Sequence, residues 1–219
     1  MQLSYNEIKK NEEINTYIKK ADESMNAMGF TEHGFAHVTR VAKVASEILK
    51  ELDYSEREIE LASIAGYLHD IGNVVNRNDH AQTGAVMAFR ILDKMGADAE
   101  DVATIVTAIG NHDEHAAFPV NSVAAALMIA DKSDVRYTRV RNTDIPSFDI
   151  HDRVNYAVKE SKVNVIDKKI IELKLKLDKN ICSVMDYFEI FLERMVLCRK
   201  AAEKLGAEFR LVINGQRVI

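Results

Sequence analysis

The stretch SEREIELASIAGYLHDIGNVVNRNDH, residues 55–80, decides how this chain folds. Ser55 and Glu58 stand three apart ahead of an apolar run. In that capping-box pattern a hydroxyl and a carboxylate satisfy the free N–H groups of a helix start. Ile59, Ala62, Ala65 and Leu68 then recur at helical spacing, which predicts a helix from Ser55 to about His69 with one buried side. Periodicity stops at His69-Asp70, where Gly72 and several Asn and Asp residues read as a loop. The next helix is expected from about Ala81 to near Gly96, a residue suited to the position just past a helix end. An apolar helix therefore delivers a His-Asp pair to a break in the chain.

The same organisation extends in both directions. Ser4 and Glu7 repeat the capping box. From His37 to Leu52, the residues Val38, Val41, Val44, Ala45, Ile48 and Leu52 share one helical side. A further helix runs from about Asp98 to Ile109, and Asn121 or Ser122 caps another through ALMIADKSDV. The polar stretch RYTRVRNTDIPS, with Pro146, reads as a loop leading to a helix near Asp149. After about residue 160 the period changes to two: Ile171, Leu173, Leu175 and Leu177 alternate with Glu172, Lys174 and Lys176, a strand with one buried face. A long helix from about Ile181 to Leu205 stops at Gly206. Phe209, Leu211 and Ile213 alternate again, and Asn214-Gly215 is a hairpin turn signal. The expected architecture is mainly α: a helical bundle over residues 1–160 and a small C-terminal α+β element, strand–helix–strand, over residues 161–219.

Composition narrows the function. The 219 residues carry 29 Lys and Arg against 34 Asp and Glu, a net charge of −5, so no positive surplus exists to grip duplex nucleic acid. No apolar run is long enough to span a membrane, and MQLSYNEIKKNEE lacks the apolar core of a secretion signal, so a cytoplasmic location is expected. Cys182 and Cys198 fall in one expected helix, where sixteen residues separate them by about 24 Å. A disulfide between them is excluded on that reading, and both read as buried small hydrophobes. Val184, Phe188, Phe191, Leu192, Met195 and Ala202 form one face of that helix, which either packs on the strands or makes a homodimer interface.

Six of the seven histidines lie between residues 33 and 115, nearly all at helix ends. The His-Asp dipeptide alone has no weight, because it recurs as His112-Asp113 and His151-Asp152. The ordered series has weight. His37 opens one helix, His69-Asp70 closes the next, His80 opens the following one, and His112 follows another. Asp131 interrupts an apolar helix face, where a carboxylate is costly unless something binds it.

In this series the chain resembles the HD-domain metal-dependent phosphohydrolase superfamily, whose pattern is a His, a His-Asp pair and a distant Asp. Here these are His37, His69, Asp70 and Asp131, flanked by Arg40-Val41, Ile71-Gly72 and Ala130. The resemblance covers about residues 30 to 140 and implies a helical HD-domain bundle. Relatives with two metals carry further histidines where this chain has His80 and His112. Relatives that cleave cyclic dinucleotides resemble HDIGK and carry a Gly-Tyr-Pro signature. Here Asn73 replaces the lysine and the signature is missing, so the resemblance does not extend to that substrate.

The donors are all imidazole or carboxylate, a set suited to Fe, Mn, Co, Ni or Zn. Four ligands serve one ion; His80, His112 and a shared Asp70 would hold a second. Two such ions clamp the oxygens of a phosphoryl group and activate water, so the expected reaction is hydrolysis of a phosphoester of a nucleotide or another small phosphorylated metabolite through a metal-activated hydroxide. His69, Asp70 and Lys132 are the expected catalytic residues. Lys132, Arg136, Arg139 and Arg141 are placed to neutralise developing charge, with His115, Arg136 and Arg139 as substrate contacts. His115 also lies close enough to replace His112. Arg40 is expected to be structural, paired with a carboxylate of a neighbouring helix. Two alternatives stand beside this reading: a regulatory module that keeps the metals and senses a nucleotide, and a di-iron oxygenase on the same ligands.

Overall fold

The structure is a computed structural model that describes residues 1–114 and 117–219. It opens with α1 (Tyr5–Lys10) and α2 (Glu12–Ala27), parted by Asn11, whose side chain accepts the Ile14 N–H at 3.1 Å. Then come α3 (Phe35–Glu51), α4 (Glu56–Leu68), α5 (His80–Lys94), α6 (Ala99–Gly110), α7 (Ser122–Lys132) and α8 (Ile150–Ala157). The C-terminal part consists of β1 (Val158–Ile166), β2 (Ile170–Leu177), α9 (Val184–Lys204), β3 (Glu208–Ile213) and β4 (Gln216–Arg217). Full capping boxes form at Ser4/Glu7 and Ser55/Glu58, and a third, Ser183/Asp186, starts α9.

The bundle is built around α7, in which every side chain from Val123 to Ala130 is buried. Four of those eight residues are alanine, and their small side chains let α3, α4, α6 and α9 approach the helix from all sides. Two glycines set the spacing that matters for the site. A Cβ on Gly66 would lie 2.6 Å from the Ala42 Cα, so α3 and α4 cross in direct backbone contact, which brings His37 beside His69. A Cβ on Gly72 would lie 2.0 Å from the His80 carbonyl oxygen. The turn after Asp70 therefore folds tightly onto the start of α5, which carries His80.

The sheet has the order β1-β2-β3-β4. β1 and β2 are antiparallel, β2 and β3 are parallel across the α9 crossover, and β3 and β4 form a hairpin. Asn214 and Gly215 turn that hairpin at positive φ, +51° and +82°. Ile171, Leu173, Leu175 and Leu177 of β2 join Phe209, Leu211 and Ile213 of β3 on a buried face, continuous with the core of the helical bundle. The C-terminal element is thus larger than strand–helix–strand. β1 escapes a period-two reading because its VKESKVNVI sequence is mostly polar and a bulge between Val158 and Glu160 breaks the alternation. The expected division at 160/161 falls inside this strand. Cys182 precedes α9 rather than lying within it, and both cysteines are free and buried. No helix among the described residues is long and apolar enough to cross a membrane.

Candidate metal centre

Six side chains from separate parts of the bundle converge. His37 lies in the first turn of α3, His69 caps the C-terminal end of α4 and Asp70 follows it. His80 is the first residue of α5, His112 follows α6, and Asp131 comes one residue before the end of α7. The four histidines and Asp70 are buried. His37 Nε2 is 3.2 Å from His69 Nε2, 3.3 Å from Asp131 Oδ1 and 3.5 Å from Asp70 Oδ2. On the other side of Asp70, Oδ1 lies 3.6 Å from His80 Nε2, which is 3.2 Å from His112 Nε2. The donors overlap into triads: His37–His69–Asp70, His69–His112–Asp131 and Asp70–His80–His112, each with donor atoms within 4.8 Å of one another.

The far side of each ring explains why all four Nε2 atoms face inward. His37 Nδ1 donates to Asp134 Oδ2 at 2.8 Å, His69 Nδ1 to the Gly66 carbonyl at 2.9 Å, His80 Nδ1 to that of Arg77 at 3.0 Å and His112 Nδ1 to that of Ile109 at 2.6 Å. An oxygen acceptor at Nδ1 fixes the hydrogen there and leaves Nε2 a lone pair. Two Nε2 lone pairs 3.2 Å apart repel unless a cation lies between them. Asp70 Oδ2, facing His37 and His69, is buried without a hydrogen-bond partner. A divalent metal fits this set, and the absence of thiolate favours the borderline transition ions. Asn73 donates to Asp70 Oδ1 at 2.8 Å and holds the carboxylate across both groups of donors.

The two halves differ electrostatically. Burial and the Arg139 charge oppose protonation of His37, but Asp131, Asp134 and Asp70 outweigh them and raise its pKa to about 9. His69 rises to about 10 because Asp70 and Asp131 overcome the same burial penalty. Asp70 and Asp131 stay well below the ordinary carboxylate range; burial opposes this, and the adjacent cationic groups prevail. His80 and His112 shift downward, chiefly through burial. The half around His37 demands positive charge, whereas the His80–His112 half offers neutral nitrogens.

A cavity of about 840 Å³ opens onto the centre and reaches Asp70, His80, Asp131 and Lys132. Lys132, expected to be catalytic, is buried with Nζ 2.8 Å from Asp131 Oδ2 and 3.0 Å from Glu114 Oε2. Arg139 lines the cavity, yet its Nε donates to the Glu32 carbonyl at 2.9 Å and its Nη1 to that of Asp134 at 2.8 Å. Arg136, expected to meet substrate, turns elsewhere: Nε donates to Asp134 Oδ1 at 2.7 Å. Arg141 is paired with Asp22. All three guanidinium groups are thus engaged within the protein, Arg136 by the Asp134 carboxylate, Arg139 by two backbone carbonyls and Arg141 by the half-buried Asp22. Arg40 is structural, with Nε 3.0 Å from Asp134 Oδ1. His33 and His151 line the cavity and join none of the donor triads, although the His33 ring packs edge-on against that of His37, 5.6 Å between centroids, and His115 lies outside the described residues.

Sequence reasoning passed over four residues here. Asp134 is three positions beyond Asp131, a spacing that could have marked it as the partner of a histidine Nδ1. Arg77 sits on the cavity wall with Nη1 3.3 Å from Asn73 Oδ1 and 4.0 Å from Asp70 Oδ1, its guanidinium 5.8 Å from the Phe30 ring centroid. Glu114 and Arg194 pair at 2.6 Å, and nothing local in the sequence couples them.

The family model for the HD domain matches residues 34–136. An uncharacterized protein of Methanocaldococcus jannaschii is 25% identical, the match covering 88% of this chain and 83% of that protein. The crystal structure of a protein from an uncultured Thermotogales bacterium, described as a predicted HD superfamily hydrolase, is 29% identical, with a TM-score of 0.46 over 57% of this chain and 67% of its own.

Proposed function

Given that this chain belongs to the HD-domain superfamily of metal-dependent hydrolases through residues 34–136, we propose that it hydrolyses a phosphoester of a nucleotide or another small phosphorylated metabolite. The observation that carries the reading is the placement of Asp70. One carboxylate oxygen, Oδ2, faces His37 and His69 without a hydrogen-bond partner, and the other faces His80. This arrangement suits a pair of divalent ions drawn from Fe, Mn, Co, Ni and Zn. His37, His69 and Asp131 with Asp70 would hold one, and His80 and His112 with Asp70 the other. When bound, such ions activate water and neutralise the oxygens of a phosphoryl group.

The chain's own residues hold this arrangement rigid. Asp134 and the carbonyls of Gly66, Arg77 and Ile109 lock the four imidazoles in one tautomer and orientation. Asn73 fixes the Asp70 plane. Arg77 is the lining guanidinium placed to grip a phosphoryl oxygen: its nearest carboxylate, Asp70 Oδ1, is 4.0 Å away, whereas Lys132 and Arg194 are closely paired. Phe30, exposed beside Arg77 on the same wall, offers an apolar face to the body of the substrate. Lys132, held between Asp131 and Glu114, keeps its proton and steadies Asp131.

Protein stripped by a chelator and reloaded separately with Mn, Fe, Co, Ni or Zn tests the reading, with bound metal and released phosphate measured across nucleotides and sugar phosphates. Turnover that returns with metal is expected. Stoichiometric metal with no phosphoester cleaved in the panel overturns the hydrolase assignment.

A further inference from the structure

A row of alternating charges leads from the C-terminal element into the metal centre. Arg194 Nε, on α9, is 2.6 Å from Glu114 Oε1. The other Glu114 oxygen accepts from Lys132 Nζ at 3.0 Å. Lys132 Nζ is 2.8 Å from Asp131 Oδ2, while Asp131 Oδ1 faces His37 Nε2 at 3.3 Å. Little of this row is wet, the Lys132, Asp131 and Glu114 side chains being 4%, 14% and 15% exposed. The Arg194 guanidinium also lies over the Phe191 ring, 4.5 Å from its centroid, which fixes its direction. Ile190, Phe191 and Arg194 form one wall of the cavity.

We propose that Arg194 is a positioning residue for the metal centre, acting through Glu114 and Lys132 to hold one Asp131 oxygen toward the imidazoles. The element outside residues 34–136 thereby completes the site. Each anion in the row has two cationic claims on it or one cation and the donor cluster, so removing the outermost cation changes how the rest share charge. Without Arg194, Glu114 draws Lys132 toward itself, Asp131 Oδ2 loses its anchor, and the carboxylate is free to rotate out of register. Glu114 also follows His112 by two residues, so the same clamp restrains the chain that carries that ligand. The inference rests on Asp131 as a metal ligand and not on the identity of the reaction.

Zn titration against a competing chelator tests it in the full-length protein, with far-UV circular dichroism to establish folding. Loss of an outer partner of a metal ligand weakens binding about 10–100-fold. Arg194 acts at one further remove, so Arg194→Gln should weaken Zn binding about tenfold. Arg194→Lys should recover part of that loss, since it restores charge without the planar fork. Combining Arg194→Gln with Glu114→Gln should cost no more than the worse single change, because both break one row. Arg199→Gln, on an exposed part of the same helix, should leave Zn affinity unchanged. Wild-type Zn affinity in a folded Arg194→Gln protein, or fully additive losses in the double variant, overturns the proposal. This pattern in a protein that cleaves no phosphoester supports the proposal while removing the phosphohydrolase reading. Wild-type protein that binds no Zn, Mn or Fe removes both.

Discussion

Replacing Asp134 by asparagine removes one charge and one acceptor from a fully buried carboxylate, and the structure says which way the new amide must turn. Oδ2 accepts from His37 Nδ1 at 2.8 Å, while Oδ1 accepts from Arg136 Nε at 2.7 Å and has Arg40 Nε 3.0 Å away. An amide keeps one oxygen. Facing His37, it places its NH₂ against two guanidinium groups. Facing the arginines, it keeps the short Arg136 Nε hydrogen bond, worth about 1.5–3 kcal/mol, and the Arg40 contact, gives up only the longer 3.4 Å bond from Arg136 Nη2 to Oδ2, and turns its NH₂ toward Nδ1. The second arrangement is the cheaper. His37 must then carry its hydrogen on Nε2, pointing into the donor cluster, where it blocks coordination. The expected loss is about 10–100-fold in metal affinity, or about 1.4–2.7 kcal/mol. Chelator competition with Zn measures it, with circular dichroism confirming that Asp134→Asn is folded. A folded variant with unchanged Zn affinity would refute the account of how His37 is oriented.

Other tests follow from different parts of the structure. On the proposed two-ion reading, His80→Ala should lower the bound metal by one ion, because the donors around His37 remain; an unchanged metal content would contradict the division at Asp70. Gly72→Ala drives a Cβ to within 2.0 Å of a backbone oxygen that cannot step aside, so a loss of about 1–3 kcal/mol or more is expected, and a thermal midpoint equal to wild type would count against the close approach. His37 and His69, raised to about 9 and about 10 from an ordinary 6.5, bind protons more tightly folded than unfolded. Their contribution to metal-free stability is complete below about pH 6.5 and disappears as pH rises through their folded values. The metal-free melting temperature should therefore fall from pH 7 to 10, and a rise over that range would be inconsistent. Burial pushes the Cys182 and Cys198 thiols up to about 11 and about 12, so a thiol reagent at pH 8 should leave native protein unlabelled and react with both cysteines after denaturation.

The series of candidate donors was legible in the sequence because its signals are local. Capping residues, apolar periodicity and the glycine-containing break place His37, His69, His80 and His112 at helix ends from neighbouring residues alone. Asp131 is visible as a charge on an otherwise apolar helix. The strands β2 and β3 and the Asn214-Gly215 hairpin follow from strict alternation, and β1 was lost where a bulge and polar residues suppress it.

What the chain order could not decide is which polar groups meet across the fold. Arg136, Arg139 and Arg141 read as groups that neutralise charge at the site because they follow Asp131, but Asp134, the Glu32 carbonyl and Asp22 claim their guanidinium groups. The pairing of Arg194 with Glu114 likewise exists only because α9 packs on α7. Side-chain period records which face of a helix is apolar. The partner of a charge is set by distant residues that compete for it in three dimensions, so the order of the candidate donors belongs to the sequence while their orientation belongs to the packed molecule.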